Sequence, residues 1–370
     1  MHIVHCIPRV IPPPAYGGIE RLVFWLIREQ VRRGLRVSVM TIDRSTVGDV
    51  LPGVCVISFP ELREPGRIPD PEEWDYRDLI PADADVAHFH SIPPPGALPE
   101  IPFIVTEQNL RKVSRRFRGF SPNMVFVSRS HAENHGAHTY VYSGVPLEEY
   151  PLVATKDDYM LFMAALGWRV KNPKTAIHLA FDTGMPLKLA GGELRGNRKL
   201  RGAWMLRAPF YPALLEVLGN VGGDAKLGAL QRARLLYYLV GWEEPFALAP
   251  HEALACGTPV LATPHGALAE YIRDGQNGYL VRRYRDALEK LERLRGMSPD
   301  ETAAMANRCR ESAFRIEDCA DGYMELYERV IRDRWLYPPE QAHRIRVRGL
   351  NPHRLRWGRR RIRRYPFKLG

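Results

Sequence analysis

Short apolar runs alternate with helical spacing along most of the chain. HIVHCI (2–7) reads as a strand. Ile19, Leu22, Val23, Leu26, Ile27, Gln30 and Val31 then recur at helical spacing, with Glu20, Arg21, Arg28, Arg32 and Arg33 off that stripe. Gly34 ends the helix and RVSVMTI follows as a second strand, so the chain opens on a βαβ unit with a right-handed crossover. Residues 53–58, 86–90 and 103–109 read as further strands. MVFVSRSHAENHG and TYVYSGVPLEEYP are expected to supply the last strands of a first domain and a hinge. A second series begins near Asp157 with the strand YMLFMAAL and a helix from about Pro173. It continues through LKLAGG (187–192), VLGNV (217–221), a helix from about Asp224, and LLYYLV. After residue 282 the spacing is helical, with Leu288, Leu291 and Leu294 on one helix and others over 300–314 and 319–333. Alternating strands and helices predict two doubly wound α/β domains facing one cleft, and no repeat is long enough for a solenoid.

The densest stretch is 243–278, EEPFALAPHEALACGTPVLATPHGALAEYIRDGQNG. Pro250 suits a first helical turn, where its missing N–H is not needed. The spacing puts Glu252 in that turn and lets Ala253 to Cys256 continue it until Gly257 closes it. Pro259 to Ala262 then form a short strand, and Pro264-His265-Gly266 turn into a second helix. The start of the first helix presents unpaired backbone N–H groups and partial positive charge. A carboxylate just inside such an anion site suits a ligand carrying both phosphate and sugar hydroxyls. Near the start of the chain, Gly17 and Gly18 let the backbone approach a ligand at a helix amino terminus, or form a tight connecting turn. Triple prolines at 12–14 and 93–95 stiffen loops at carboxyl ends of strands, where open α/β sheets place ligands. His88 and His90 share one strand face, and the sequence offers no third ligand at metal spacing.

Composition changes the picture in two places. The five cysteines are scattered without a CxxC pair, which argues for a reducing compartment and against a disulfide framework or structural zinc. No signal peptide is evident at the amino terminus, and no apolar run reaches the roughly 18 residues of a membrane span. The formal charge is +11, and it is local. From Arg344 onward there are eleven Lys or Arg and no acid, so the rest of the chain balances its 42 acids with as many bases. Those arginines are interleaved with Ile345, Val347, Leu350, Leu355, Trp357, Ile362, Tyr365 and Phe367. Such a segment suits an anionic membrane surface. An unstructured or packing role stays open, and nucleic acid is the least favoured partner.

Glu244, Glu252, Ala253, Ala255, Gly257-Thr258-Pro259-Val260, Gly266, Glu270 and Asn277-Gly278 stand in register with a known signature. The stretch resembles that of retaining glycosyltransferases of the GT-B fold, glycosyltransferase family 4 (group 1 glycosyltransferases). Gly17, Gly18, Glu20, Gly34 and Val37 match the amino-terminal pattern of the same family. In outline the resemblance spans about residues 2–335, with its specific motifs at 16–37 and 241–281.

The resemblance implies a Rossmann-like acceptor domain at 1–150 and a nucleotide-sugar donor domain at 151–318. A cross-over helix at 319–343 and the basic segment 344–370 complete the division. It also implies metal-independent, retaining hexosyl transfer in cell-surface polysaccharide or glycolipid synthesis. No cofactor is expected beyond the nucleoside diphosphate sugar as co-substrate, with a sugar or lipid-linked acceptor. The expected location is cytoplasmic, peripheral on the inner face of the membrane. Glu252 is implied to bond the donor ribose and Glu244 the sugar ring; Lys171 and the backbone at Ala247, Leu248 and Ala249 hold the diphosphate. Front-face attack, assisted by the leaving phosphate, is the implied route to retention.

The chain departs from the family in three places. The arginine before Lys171 falls on Ala164-Ala165, which leaves Arg169 as a substitute clamp. Gln108 replaces a histidine that contacts the donor sugar, and a glutamine bonds a hydroxyl without relaying a proton. Ser143 replaces the asparagine of Asn-Gly-Val. Asp83-Ala84-Asp85 is similar to the metal-chelating Asp-x-Asp of the other major glycosyltransferase fold. Here it precedes VAHFHS, in the place of the family's "DvvHxHs", so a solvated turn and no catalytic metal are expected. The basic cluster at 111–118 is a candidate contact for a charged acceptor. Two other readings stay open, a GT-B nucleotide-sugar epimerase and a catalytically weakened homologue acting as a binding subunit.

Overall fold

The computed structural model describes residues 1–14, 17–42, 44–59, 77–93, 99–108, 122–192 and 214–337. The basic cluster at 111–118 and the segment 344–370 lie outside the described residues. Within them, strands β1 (His2–Cys6), β2 (Arg36–Ile42), β3 (Cys55–Phe59), β4 (Val86–Phe89), β5 (Phe103–Glu107) and β6 (Met124–Phe126) form one sheet in the order β3-β2-β1-β4-β5-β6. A second sheet contains β7 (Met160–Met163), β8 (Leu187–Ala190), β9 (Leu215–Gly219), β10 (Leu235–Tyr238), β11 (Val260–Ala262) and β12 (Gly278–Leu280), ordered β12-β11-β10-β7-β8-β9. Neighbours pair in parallel in both sheets. Strands covered on both faces read as continuous apolar runs, which is how MLFM and LLYY appear, while HIVHC is buried throughout yet carries His2 and His5. Strand order reverses between β1 and β4 and between β10 and β7, the two places where such sheets bind ligands.

The first helix, α1 (Gly18–Arg32), buries Trp25 and Glu29 in addition to the predicted stripe. Partners from elsewhere in the chain explain the difference. Trp25 meets the Tyr150 ring edge-on at 6.1 Å. Glu29 is gripped by Arg32 and Arg33, and Arg33 also reaches Asp321 and the Glu317 carbonyl. Those last two residues belong to the long helix Ile316–Asp333, which packs on α1 and β5 and so crosses back onto the first sheet.

TYVYSGVPLEEYP forms no strand, contrary to expectation; Tyr140 and Val145 make only isolated bridges, to Phe126 and Arg315. The backbone instead packs directly on the returning chain, with the Val145 N–H donating to the Phe314 carbonyl at 3.0 Å and the Val145 carbonyl accepting from the Ile316 N–H at 3.1 Å. A Cβ on Gly144 would lie 2.0 Å from the Arg315 carbonyl oxygen.

Candidate active site

The carboxyl ends of the strands meet across a cleft of about 230 Å³. The part of the chain that carries the first sheet lines it with Gly17, Gly18, Arg21 and Gln108; the part that carries the second sheet contributes Lys171, Lys226, Trp242, Glu244, Ala247, Leu248, Ala249 and Glu252. Further helices of the described chain include α2 (Val47–Val50), α3 (Arg129–Asn134), α4 (Pro173–Thr183), α5 (Gly223–Arg232) and α6 (Leu248–Ala255). Helix α6 starts two residues before Pro250, so Glu252 lies in its second turn instead of its first. Ala247, at its N-cap, has φ 73°, a conformation that costs a non-glycine residue about 1–3 kcal/mol. No side chain caps this end, so the first-turn N–H groups are available at the cleft. Gly18 faces the same helix closely; a Cβ there would sit 3.8 Å from Leu248 Cδ1.

Glu252 is buried, with 2% of its surface exposed. Its Oε1 accepts from Arg21 of α1 at 3.1 Å, from the Tyr150 hydroxyl at 2.8 Å, and from Lys226 of α5. Burial alone would raise its pKa, but Lys226 and Arg21 overcome that and hold the carboxyl below its usual range. Glu244 is 5% exposed, and its Oε2 accepts from Lys171 Nζ at 2.7 Å and from Trp242 Nε1 at 2.8 Å. Lys171 also donates to the Tyr238 hydroxyl at 2.8 Å and lies over the Tyr238 and Trp242 rings, 5.0 and 4.9 Å from their centroids. The cleft therefore holds two buried carboxylates, each engaged by a buried lysine, next to an open helix amino terminus.

Gly266 supports Glu244 from below, bridged to it in parallel fashion at φ 60°. A Cβ at Gly266 would meet the Glu244 carbonyl oxygen at 2.3 Å. Gly266→Ala is accordingly expected to cost about 1–3 kcal/mol in urea unfolding and to displace Glu244. Unchanged stability would mean the loop yields without strain.

The structure brings together every predicted site residue except one. Gly17, Gly18, Gln108, Lys171, Glu244, Ala247, Leu248, Ala249 and Glu252 all line the cleft. Arg169 does not: it sits in the single 3-10 turn Arg169–Lys171, which directs Lys171 inward and leaves Arg169 exposed and off the lining. Trp168, beside it, does line the cleft. Sequence reading missed Arg21, Lys226, Tyr150 and Trp242. Arg21 lay on the face of α1 read as solvated, and nothing in DAKLGAL distinguishes Lys226 from a surface lysine.

Asp83 bonds Arg36, and Asp85 accepts from the His2 backbone N–H, at the amino ends of strands and away from the cleft. A third histidine does join His88 and His90, contrary to the sequence reading. His5, across from His88 in the β1–β4 register, places one ring nitrogen of each of the three within 4.8 Å of the others. Neutral imidazoles so disposed could hold a metal, but among the described residues no carboxylate joins them and each of the six ring nitrogens has a protein hydrogen-bond partner.

Comparisons with known proteins find glycosyltransferases. Residues 149–315 match the family model "Glycosyl transferases group 1". The chain is 38% identical over 110 residues to a D-inositol 3-phosphate glycosyltransferase of Rhodococcus erythropolis, covering 28% of this chain and 24% of that protein. It is 34% identical over 154 residues to the Rhodococcus opacus protein of the same name, covering 37% and 34%. The matches thus span about a quarter to a third of these curated relatives. Among solved structures, AviGT4, a glycosyltransferase involved in avilamycin A biosynthesis, aligns with a TM-score of 0.65 at 24% identity, over 89% of this chain and 98% of that one. Anabaena HepE, in complex with UDP and glucose, aligns with a TM-score of 0.65 at 15% identity, over 89% and 100%. The chain therefore has the α/β GT-B fold, and its residues 149–315 are similar to the group 1 glycosyl transferase domain.

Proposed function

We propose that this chain is a retaining, metal-independent glycosyltransferase of family 4. It moves a sugar from a nucleoside diphosphate sugar to a glycan, glycolipid or small-molecule acceptor in cell-surface polysaccharide or glycolipid synthesis. The observation that carries the reading is the pair of buried carboxylates, Glu244 and Glu252, beside the uncapped start of α6. Arg21, Tyr150 and Lys226 all converge on Oε1 of Glu252, so Oε2 is the natural acceptor for ribose hydroxyls. Glu244 takes the sugar ring hydroxyls. Lys171 and the N–H groups at the start of α6 meet the charge that develops on the departing diphosphate. Arg21 and Lys226 bring cationic charge to a cleft that has Ala164 where the family has its arginine. The UDP and glucose bound by Anabaena HepE support a uridine nucleotide as the first donor to try.

A thermal-shift panel of UDP, GDP, ADP, TDP and their sugar conjugates, run in EDTA, tests the proposal. A ligand at a hundred times its Kd adds about 2.7 kcal/mol of stability. One nucleotide should stand out, and the anomeric proton coupling of the product should match that of the donor. No shift with any nucleotide would falsify the donor site, and a shift that requires Mg²⁺ or Mn²⁺ would sink metal independence.

The segment 344–370 is proposed to bind anionic membrane, at about 1 kcal/mol per basic residue near the surface. Deleting it should leave the nucleotide shift intact and abolish sedimentation with phosphatidylserine vesicles. Full sedimentation of the truncated chain would defeat the membrane role.

A further inference from the structure

A line of polar side chains runs unbroken from the cleft into the core between β1 and β4. Gln108 Nε2 meets His90 Nδ1 at 3.4 Å, the longest link. His90 Nε2 lies 2.9 Å from His5 Nδ1, and His5 Nε2 lies 2.7 Å from Gln30 Oε1. Gln30 Nε2 donates to the Tyr327 hydroxyl at 3.3 Å. That hydroxyl is 2.7 Å from His88 Nδ1, and His88 Nε2 is 2.7 Å from Thr106 Oγ1. All of these groups except Gln108 are buried.

A neutral imidazole donates from one nitrogen and accepts at the other, so each link constrains the next. Burial keeps the rings neutral: it pulls His5 down to about 4, and His88 and His90 well below the usual value. Gln30 sets the polarity. Its oxygen faces His5, so His5 Nε2 carries the proton and His5 Nδ1 accepts from His90 Nε2–H. His90 Nδ1 is then an acceptor, and only the NH2 of Gln108 satisfies it. On the other branch Tyr327 donates to His88 Nδ1, and His88 Nε2–H donates to Thr106. The opposite polarity would require both glutamine amides to turn and all three rings to change tautomer.

We infer that His90, backed by His5 and Gln30, is a positioning residue that holds the amide of Gln108 with its oxygen left for the cleft, as an acceptor for a hydroxyl of the donor sugar. The inference rests on the proposed donor site. It gives the glutamine a defined task that needs no proton transfer, in place of the family's histidine. Because Tyr327 belongs to the crossing helix Ile316–Asp333, that helix takes part in setting the orientation.

Two measurements on the full chain test this. Nitrogen-15 NMR of labelled histidine at pH 7 should give His5, His88 and His90 as neutral Nε2–H tautomers. Three Nδ1–H rings would overturn the inference, because that polarity aims the NH2 of Gln108 at the cleft. A stoichiometric metal ion in the purified protein would overturn it too, since a metal takes the nitrogens that the line uses. This readout needs no variant and no activity, so it stands even if no nucleotide sugar binds and the proposed function fails. The second measurement uses the nucleotide sugar selected by the thermal-shift panel. His90→Phe should lower kcat about threefold to tenfold, the scale of one net hydrogen bond, with donor KM within about twofold. Gln108→Ala should do the same, and the double variant should lose no more than Gln108→Ala alone. Additive losses would show that His90 acts independently of Gln108.

Discussion

Glu252→Ala is expected to cut the nucleotide-dependent thermal shift to about half or less and to lower stability by about 3–5 kcal/mol, the usual result of stranding one partner of a buried ion pair. The substitution removes the acceptor shared by Arg21, Tyr150 and Lys226, and Lys226 is itself only 9% exposed. The pH dependence should separate this cause from simple loss of packing. Burial draws the Lys226 pKa down, and in the variant the compensating Glu252 is gone. A lysine with a depressed folded value disfavours folding while charged, so the deficit should shrink as pH rises from that value toward the unfolded value of about 10.4. Urea unfolding between pH 7 and 10 measures this; a deficit independent of pH would contradict the ion-pair account. In the wild-type chain Glu252 adds a contribution of the same slope in a lower pH window. The depressed Glu252 pKa gives stability that is present above about 4.3 and lost as pH falls through the folded value. With the ribose acceptor removed, donor Kd should rise about 10- to 100-fold, the range for hydrogen bonds to a charged group.

Lys171→Met should lower kcat about 10²- to 10³-fold, the loss that follows removal of one donor to developing negative charge. Methionine keeps much of the aliphatic stem against Tyr238 and Trp242, so packing is largely retained and the charge is lost. Glu244 keeps its bond from Trp242 but loses its cation. Donor KM should change far less than kcat, because the charge on the diphosphate grows as the glycosidic bond breaks. Steady-state kinetics on the nucleotide sugar selected by thermal shift provide the check. A rise in KM with unchanged kcat would assign Lys171 to ground-state binding alone.

Much of this was legible in the sequence because it is local. The period of apolar residues in α1, the continuous runs of β7 and β10, and the glycines at 34 and 257 each follow from interactions a few residues long. The carboxylates at 244 and 252 were legible through the resemblance of a motif that is itself local in the chain, and the structure carries both to one cleft. The groups that tune those carboxylates were not. Arg21 and Glu252 are 231 positions apart, and His5 and His90 are 85 apart. Arg21 and a solvated arginine look alike in sequence, as do His5 and any histidine in an apolar strand; only the partner distinguishes them, and folding chooses the partner. Arg169 is the converse case. The family resemblance offered it as a substitute clamp despite its shifted spacing, but one 3-10 turn faces Lys171 inward and Arg169 outward. The sequence by itself determined most of the elements, since backbone propensity and hydrophobic period act over short range, and the resemblance of its motifs supplied the GT-B class and the two carboxylates. The tertiary structure alone decided which charges and rings meet them, because burial and hydrogen bonding depend on segments that become neighbours only when the two sheets close on one cleft.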